Sequence, residues 1–324
     1  MSTPPESEGN LRRGRALRPG DKVAVMTLSS PVSATQLPIG LDALRFAGLV
    51  PEVYDSARDT GSFRHYLAGS DQLRAAELRR ALLDNSTSGI LFAGGGSGAQ
   101  RTLECMDWNG LEHVTPKVLA GYSDVTAILE AVAVKLGWSS LMTPMIAGND
   151  FAESYGFSSM MRCLMAPERV KEFHYDSAST VVGGSAQGVT LGGNLCLLVA
   201  SLGTDTCRPA EGGILLIEDE SEADYRIDRM LTQLRRSGYL DGVAAVIAGT
   251  WHGCGTVEEV NPVLTERLSD LGVPMIAWAN VGHGGHFQTF PIGVPAELNA
   301  DTHTLRLLQP PLVPYKGPET EPPN

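Results

Sequence analysis

Cysteine is scarce in this 324-residue sequence: five residues (Cys105, Cys163, Cys196, Cys207 and Cys254), an odd total, and no CxxC pair. Such scattering argues against a disulfide framework and against a structural zinc site, and the five read as small buried hydrophobes. Long apolar runs are lacking too. No segment approaches the roughly 18 consecutive apolar residues of a membrane span. Positive charge is in deficit, with 25 Lys and Arg against 37 Asp and Glu and a formal net charge of -12. Nucleic acid and an anionic membrane surface are thereby disfavoured as main partners. The opening MSTPPESEGNLRRGRALRPG has paired arginines with no apolar stretch behind them. It reads as a disordered lead-in over residues 1–16 rather than a signal peptide, which makes the cytoplasm the expected compartment.

What is present suffices for a core. With 43% hydrophobic and 19% charged residues, a chain of this length is expected to form two domains. The first, over residues 17–150, alternates short apolar runs with helical patterns. Val23-Ala24-Val25-Met26 precedes a helix through residues 41–47 that stops at Gly48, and residues 71–83 carry an amphipathic pattern (Leu73, Ala76, Leu78, Ala81, Leu82). Residues 89–93, a glycine cluster and residues 117–120 follow. Strands apolar throughout, alternating with helices, predict a parallel sheet covered on both faces. Residues 151–185 mix Gly, Ser, Pro and charge without clear periodicity and read as a linker region. A second domain, over 186–309, resumes with apolar runs at 195–202, 214–217, 243–247 and 273–277 and helices near 225–236 and 258–271. Residues 310–324 are proline-rich and polar, the composition of a loose tail.

Four stretches carry candidate chemistry. FAGGGSGAQR (92–101) sets glycines after a strand, where backbone can approach a ligand and turn its amides outward. The third glycine of a dinucleotide GxGxxG is missing at the required spacing, as is a phosphate-loop lysine. A tight strand-to-helix turn or an amide nest for an oxyanion fits better. GYSD (121–124) joins the apolar residues 117–120 to the helical residues 125–132. Ser and Asp cap helices, and a serine on such a turn can also be a nucleophile. The second glycine of a GxSxG elbow is absent, so the motif alone fits a cap better.

In IEDESEADYRIDRM (217–230), Glu218 directly follows four apolar residues and is the acid best placed for burial, where a carboxylate can orient a histidine. Glu222 and Asp224 fit the positive start of the next helix. Arg226 and Arg229 are suited to pair with these acids or to bind a substrate carboxylate. In NVGHGGHFQTFPIG (280–293), the glycine-flanked His283 and His286 follow a strand. Further ligands of clear metal-site spacing are missing, so a general base is the better use. His252, which ends another apolar strand, is a rival for that role. Ser123, Glu218 and His283, each at a strand's end, make a logical set of nucleophile, orienting acid and base.

Together, GDKVAVMTLSSP (20–31), GYSDVT (121–126), LGGNL (191–195), IED…YRIDRMLTQL (217–234) and GHG…TFPIG (282–293) resemble the motifs of the LD-carboxypeptidase family of serine peptidases, over residues 17–308. That family includes the cytoplasmic enzymes of peptidoglycan recycling and the microcin C immunity peptidases. The resemblance implies an α/β protein of two domains. A flavodoxin-like (class I glutamine amidotransferase-like) N-terminal parallel sheet would present the serine. A β-rich α/β C-terminal domain would supply the acid and the histidine, with the active site between the two. The implied nucleophile is Ser123, the acid Glu218 and the histidine His283, with His286 outside the match. Backbone amides of Asp124 and of Gly95 or Gly96 would form the oxyanion hole. A small peptide-like substrate and a homodimer are expected, and no metal or cofactor.

There are departures. The family's recycling enzymes carry Arg and Tyr in the glycine loop (RGGYG), where this chain has Gly94-Gly95-Gly96-Ser97-Gly98, and the usual proline of the first motif is Leu28. The oxyanion amides survive these changes, while the side chains lining the pocket do not. Ser97 and Arg226 are the candidate substrate-binding residues. The implied reaction is release of D-Ala from a muropeptide tetrapeptide. A peptidyl or aminoacyl nucleotide antibiotic is the alternative substrate, and acyl transfer or non-hydrolytic binding is the alternative use of the pocket.

Overall fold

The computed structural model describes residues 11–149, 151 and 155–315. Among them the chain runs β1 (Lys22–Met26), α1 (Gln36–Phe46), β2 (Val50–Val53), α2 (Asp55–Arg58), α3 (Asp71–Leu83), β3 (Thr87–Phe92), α4 (Ala99–Glu104) and β4 (Val118–Ala120). Then come α5 (Thr126–Leu136), β5 (Ser140–Met142), α6 (Tyr155–Met165), β6 (Glu172–His174), β7 (Ser179–Val182), β8 (Ser185–Asn194), α7 (Leu195–Ala200) and β9 (Gly213–Glu220). The remainder is α8 (Asp224–Arg236), β10 (Ala245–His252), α9 (Val257–Leu268), β11 (Met275–Ala277), β12 (Phe290–Ile292), β13 (Pro295–Asn299) and β14 (Thr304–Leu307).

The first sheet has the order β12-β5-β4-β3-β1-β2. Its β2, β1, β3, β4 and β5 are parallel. This 2-1-3-4-5 order is that of a flavodoxin-like doubly wound sheet, whose ligand crevice lies beyond the carboxyl ends of the strands where the order switches, between β1 and β3. The sixth strand comes from far along the chain: β12 pairs antiparallel with β5. The second sheet runs β6-β14-β13-β8-β9-β10-β11-β7, with β8, β9, β10 and β11 parallel and antiparallel strands on either side.

Strand β9 shows why the second sheet is apolar along its length. Ile214 and Leu216 enter a core shared with the first domain, while Leu215 and Ile217 enter a separate core under α8 and α9. Period-two alternation thus buries every residue of the run, which is why it reads as a continuous apolar stretch. The fold is therefore the two-domain α/β arrangement expected, with a core continuous between the domains.

Between 151 and 185, the described residues carry more regular structure than the composition implies. They contribute α6, whose Met160, Cys163 and Leu164 are buried, and the strands β6 and β7, which pair with β14 and β11. The lead-in over 1–16 and the tail over 310–324 fall partly outside the described residues. Within them, Ala16 N donates to Val313 O at 2.9 Å and Val313 N to Gly14 O at 2.9 Å. The order here comes from backbone pairing, which any side chains allow and which composition therefore does not register. Among the described residues, no helix is long and apolar enough to cross a membrane.

Candidate active site

The site forms where several strands end. Beyond β4, Gly121 lies against Phe92, where a Cβ would come within 2.8 Å of Phe92 Cδ2, so any side chain there would have to displace the buried Phe92 ring. Ser123 then takes φ 60, a left-handed conformation that non-glycine residues avoid and that clusters at functional turns. It begins a 3₁₀ turn (Ser123–Val125) leading into α5. The hydroxyl caps neither helix start. Instead its Oγ lies 3.1 Å from His283 Nε2.

Val125, buried, stands where the second elbow glycine would be, and the side chain of Asp124, just before it, turns inward. Its Oδ2 accepts from Ser29 Oγ at 2.6 Å and from Ala99 N at 2.8 Å, stapling the elbow to the loop after β1 and to the start of α4. Burial pushes this carboxyl upward from the usual range, against the pull of those two donors.

Glu218, fully buried near the end of β9, meets His283 twice. Its Oε2 lies 2.6 Å from Nδ1 and accepts the His283 main-chain N–H at 3.1 Å. That approach depends on Gly282 at φ 119, where a Cβ would stand 2.5 Å from the same carboxylate oxygen. The other oxygen, Oε1, accepts from Asn194 Nδ2 at 3.3 Å. Asn194 also donates its main-chain N–H to Thr126 Oγ1 at 3.1 Å, which ties the acid's surroundings to the helix that follows Ser123. Beside Glu218, Asp219 is buried and accepts from Asn194 Nδ2, Cys196 N and Glu220 N, each at 2.9 Å; burial pushes its carboxyl up to about 6.

Burial of the His283 ring lowers its pKa, but the hydrogen bond and charge of Glu218, with Glu220 and Asp219, more than offset this, so the net shift is upward. Hydrogen bonding assigns the tautomer: Nδ1–H faces Glu218 and Nε2 is free to accept from Ser123. Glu220 Oε2 stands 3.4 Å from Nε2. The Tyr122 ring lies 4.7 Å from the imidazole and 4.8 Å from Phe287, closing one side.

The glycine loop borders Ser123 directly, a Cβ on Gly95 falling 3.0 Å from Ser123 Cβ. Thr27 Oγ1 donates to Gly94 O at 3.3 Å. In a trans peptide that aims the Gly95 N–H the opposite way. Ser30 N holds Gly95 O at 3.1 Å. Among the described residues, neither the Gly95 N–H nor the Asp124 N–H has an acceptor within the protein.

Gly95, Gly96, Ser123, Tyr122, Glu220 and His283 share a cavity of about 330 Å³. Two residues singled out from the sequence are not among its lining. Ser97 is exposed, its N–H bonded to Ser30 Oγ at 3.0 Å, and Arg226 in the first turn of α8 is ion-paired with Glu222, just before that helix. His252 and His286 line an adjoining cavity of about 380 Å³, beyond the His283 ring from Ser123. Among the described residues, no three or more His, Cys, Asp or Glu are grouped so as to hold a metal ion. No role for Asn194, Asp219, Glu220 or Thr27 follows from the sequence, although each stands within a motif: Asn194 in LGGNL, Asp219 and Glu220 in IEDESEADYRIDRM, and Thr27 in GDKVAVMTLSSP.

Two family models match the chain, the LD-carboxypeptidase N-terminal domain over residues 23–143 and the LD-carboxypeptidase C-terminal domain over residues 187–298. The chain belongs to the LD-carboxypeptidase family. It is 46% identical to a Streptomyces coelicolor protein bearing a carboxypeptidase name, over 93% of this chain and 98% of that one. It is 26% identical to the murein tetrapeptide carboxypeptidase of Pseudomonas aeruginosa, over 86% and 94%. In fold it resembles the microcin self-immunity protein MccF in complex with glutamyl sulfamoyl guanosine, with a TM-score of 0.83, 20% identity and coverage of 93% and 99%. As an LD-carboxypeptidase family member the chain is a peptidase.

Proposed function

We propose that this LD-carboxypeptidase family member is a serine carboxypeptidase that removes the terminal D-amino acid, D-Ala, from a muropeptide tetrapeptide. The observation that carries the reading is the continuous chain of contacts from Ser123 Oγ through His283 Nε2 and Nδ1 to Glu218 Oε2, at 3.1 and 2.6 Å. Ser123 Oγ attacks the carbonyl carbon of the last amide bond while its proton passes to His283 Nε2. Glu218 holds the ring in the accepting tautomer and stabilises the imidazolium. The negative oxygen of the tetrahedral intermediate is received by the N–H groups of Gly95 and Asp124, where one such donor contributes about 3 kcal/mol. His283 returns the proton to the departing nitrogen, the C–N bond breaks, and the terminal amino acid leaves. Water then hydrolyses the acyl ester and restores Ser123.

The substrate class is supported by the names of relatives such as the murein tetrapeptide carboxypeptidase. The fold likeness to MccF bound to glutamyl sulfamoyl guanosine supports a second reading, hydrolysis of an aminoacyl nucleotide analogue. The two separate in one panel: tetrapeptides with L,D and L,L termini beside glutamyl sulfamoyl guanosine, each given to the protein and to Ser123→Ala. Release of D-Ala from the L,D peptide by the unsubstituted protein alone is expected. Cleavage of the nucleotide with no peptide turnover replaces the first reading by the second.

A further inference from the structure

We infer that Glu220 is a specificity-determining residue of this site and selects substrates carrying an ammonium or guanidinium group on a residue next to the scissile amide, a role that rests on the serine-peptidase reading. Glu220 is the last residue of β9, two beyond Glu218. Side chains two apart on a strand share a face, so Glu220 points to the same side of the sheet as the acid that meets His283. Its backbone is held firmly: its N–H donates to Asp219 Oδ1 at 2.9 Å, and the next residue, Ser221, donates its N–H to His252 O at 2.8 Å.

The carboxylate itself is left open. Glu218 is fully buried, whereas the Glu220 side chain is 46% exposed and its Oε2 stands 3.4 Å from His283 Nε2. Among the described residues, no Lys or Arg pairs with Glu220, and no donor hydrogen-bonds its side chain. Its one nearby ionisable partner, the His283 ring at 3.4 Å, offsets this charge only when protonated, so with the ring neutral the anion has no counter-ion at the mouth of the cleft.

Position makes that charge consequential. Glu220 lines both cavities, the one over Ser123 and the adjoining one, and the two meet at Tyr122, Met145, Gly148, Glu220 and His283. Among the described residues, no Lys or Arg lines either, and Glu220 is the one carboxylate in their lining. A substrate laid across Ser123 with its flanking residues in these cavities therefore meets, among the described residues, the negative charge of Glu220 and no Lys or Arg. A cationic group covers Glu220 and takes a counter-ion already in place, while a carboxylate brought there is repelled. The glutamyl group carried by the ligand of the MccF complex would be disfavoured here by the same charge.

The experiment uses the full chain and matched tetrapeptides ending in D-Ala, with L-Lys, L-norleucine or L-Glu supplying the scissile carbonyl. A second series places D-Lys or D-norleucine as the leaving residue. The readout is the ratio of kcat/KM for the Lys peptide to that for its norleucine partner. A ratio of about ten in one series, falling to about one in Glu220→Gln and inverting in Glu220→Lys, is expected from the loss and reversal of one close charge pair. A ratio near one in both series for the unsubstituted protein overturns the proposal whatever the variants do. So does a Lys preference that Glu220→Gln leaves intact. If Glu220→Gln shifts the pH profile equally for all peptides without changing the ratio, Glu220 acts on His283 alone and the proposal falls. Ser123-dependent release with no Lys preference removes this role and leaves the peptidase reading standing. Release that survives Ser123→Ala removes both.

Discussion

His283 Nδ1 lies 2.6 Å from Glu218 Oε2, and the same oxygen accepts the main-chain N–H of His283 at 3.1 Å. One carboxylate thus fixes both the ring and the loop that carries it. Gly282 makes this approach possible, since a Cβ there would sit 2.5 Å from that oxygen. Gly282→Ala is expected to push Glu218 and the ring apart and lower kcat/KM by about 100-fold, the scale of a misplacement near 1 Å. Steady-state kinetics with a far-UV spectrum of the folded variant checks this; full activity contradicts it.

The pH dependence follows from His283. Its pKa is raised in the folded protein, burial being outweighed by Glu218 and the neighbouring acids. A base works in its neutral form, so kcat/KM is expected to fall as pH drops through a value above the ordinary imidazole range of about 6.5. NMR titration of the ring in Ser123→Ala reads the same value directly. An inflection below 6.5 contradicts the assigned contact with Glu218.

Asp219 gives a stability signature with its own sign. Burial raises its carboxyl in the folded state to about 6. A raised acid binds its proton in the folded chain before the unfolded one does, so its contribution favours folding at low pH and is lost as pH rises through about 6. The denaturation midpoint of Asp219→Asn relative to that of the unsubstituted protein is therefore expected to rise as pH goes from 4 to 6. Parallel curves for the two contradict this.

Asp124 is expected to be structural through its side chain, whatever its amide does. Asp124→Ala leaves Ser29 Oγ and Ala99 N without their acceptor. Stranding buried donors costs about 1–3 kcal/mol each. Asp124→Asn keeps one accepting oxygen and is expected to lose less. Urea denaturation measures the order; equal stability of Asp124→Ala and the unsubstituted protein contradicts it.

Much of this arrangement was legible in the sequence, for a specific reason. Ser123, Glu218 and His283 each follow an apolar run, and parallel strands buried on both faces leave their functional residues where the run ends. The parallel sheet was legible through the same alternation of apolar runs and helical patterns, and its flavodoxin-like order only through the family resemblance. What was not legible depends on distant partners. Asp124 reads in the sequence only as the residue that follows the serine, because Ser29 and Ala99, which donate to its side chain, lie 95 and 25 residues away. Arg226 looked available for a carboxylate, yet Glu222 at the helical i,i+4 spacing holds it. Strand β12 reads as part of the second domain and pairs in the first, because only the folded chain brings residue 290 beside residue 142.

The most direct test of the central claim asks whether Ser123 and His283 act as one unit. Ser123→Ala, His283→Ala and the double variant are compared by kcat/KM on an L,D tetrapeptide. Each single variant is expected to lose about 10³-fold or more, and the double variant to be no worse than either. Losses that multiply in the double variant, or a Ser123→Ala protein that turns over normally, contradict the account.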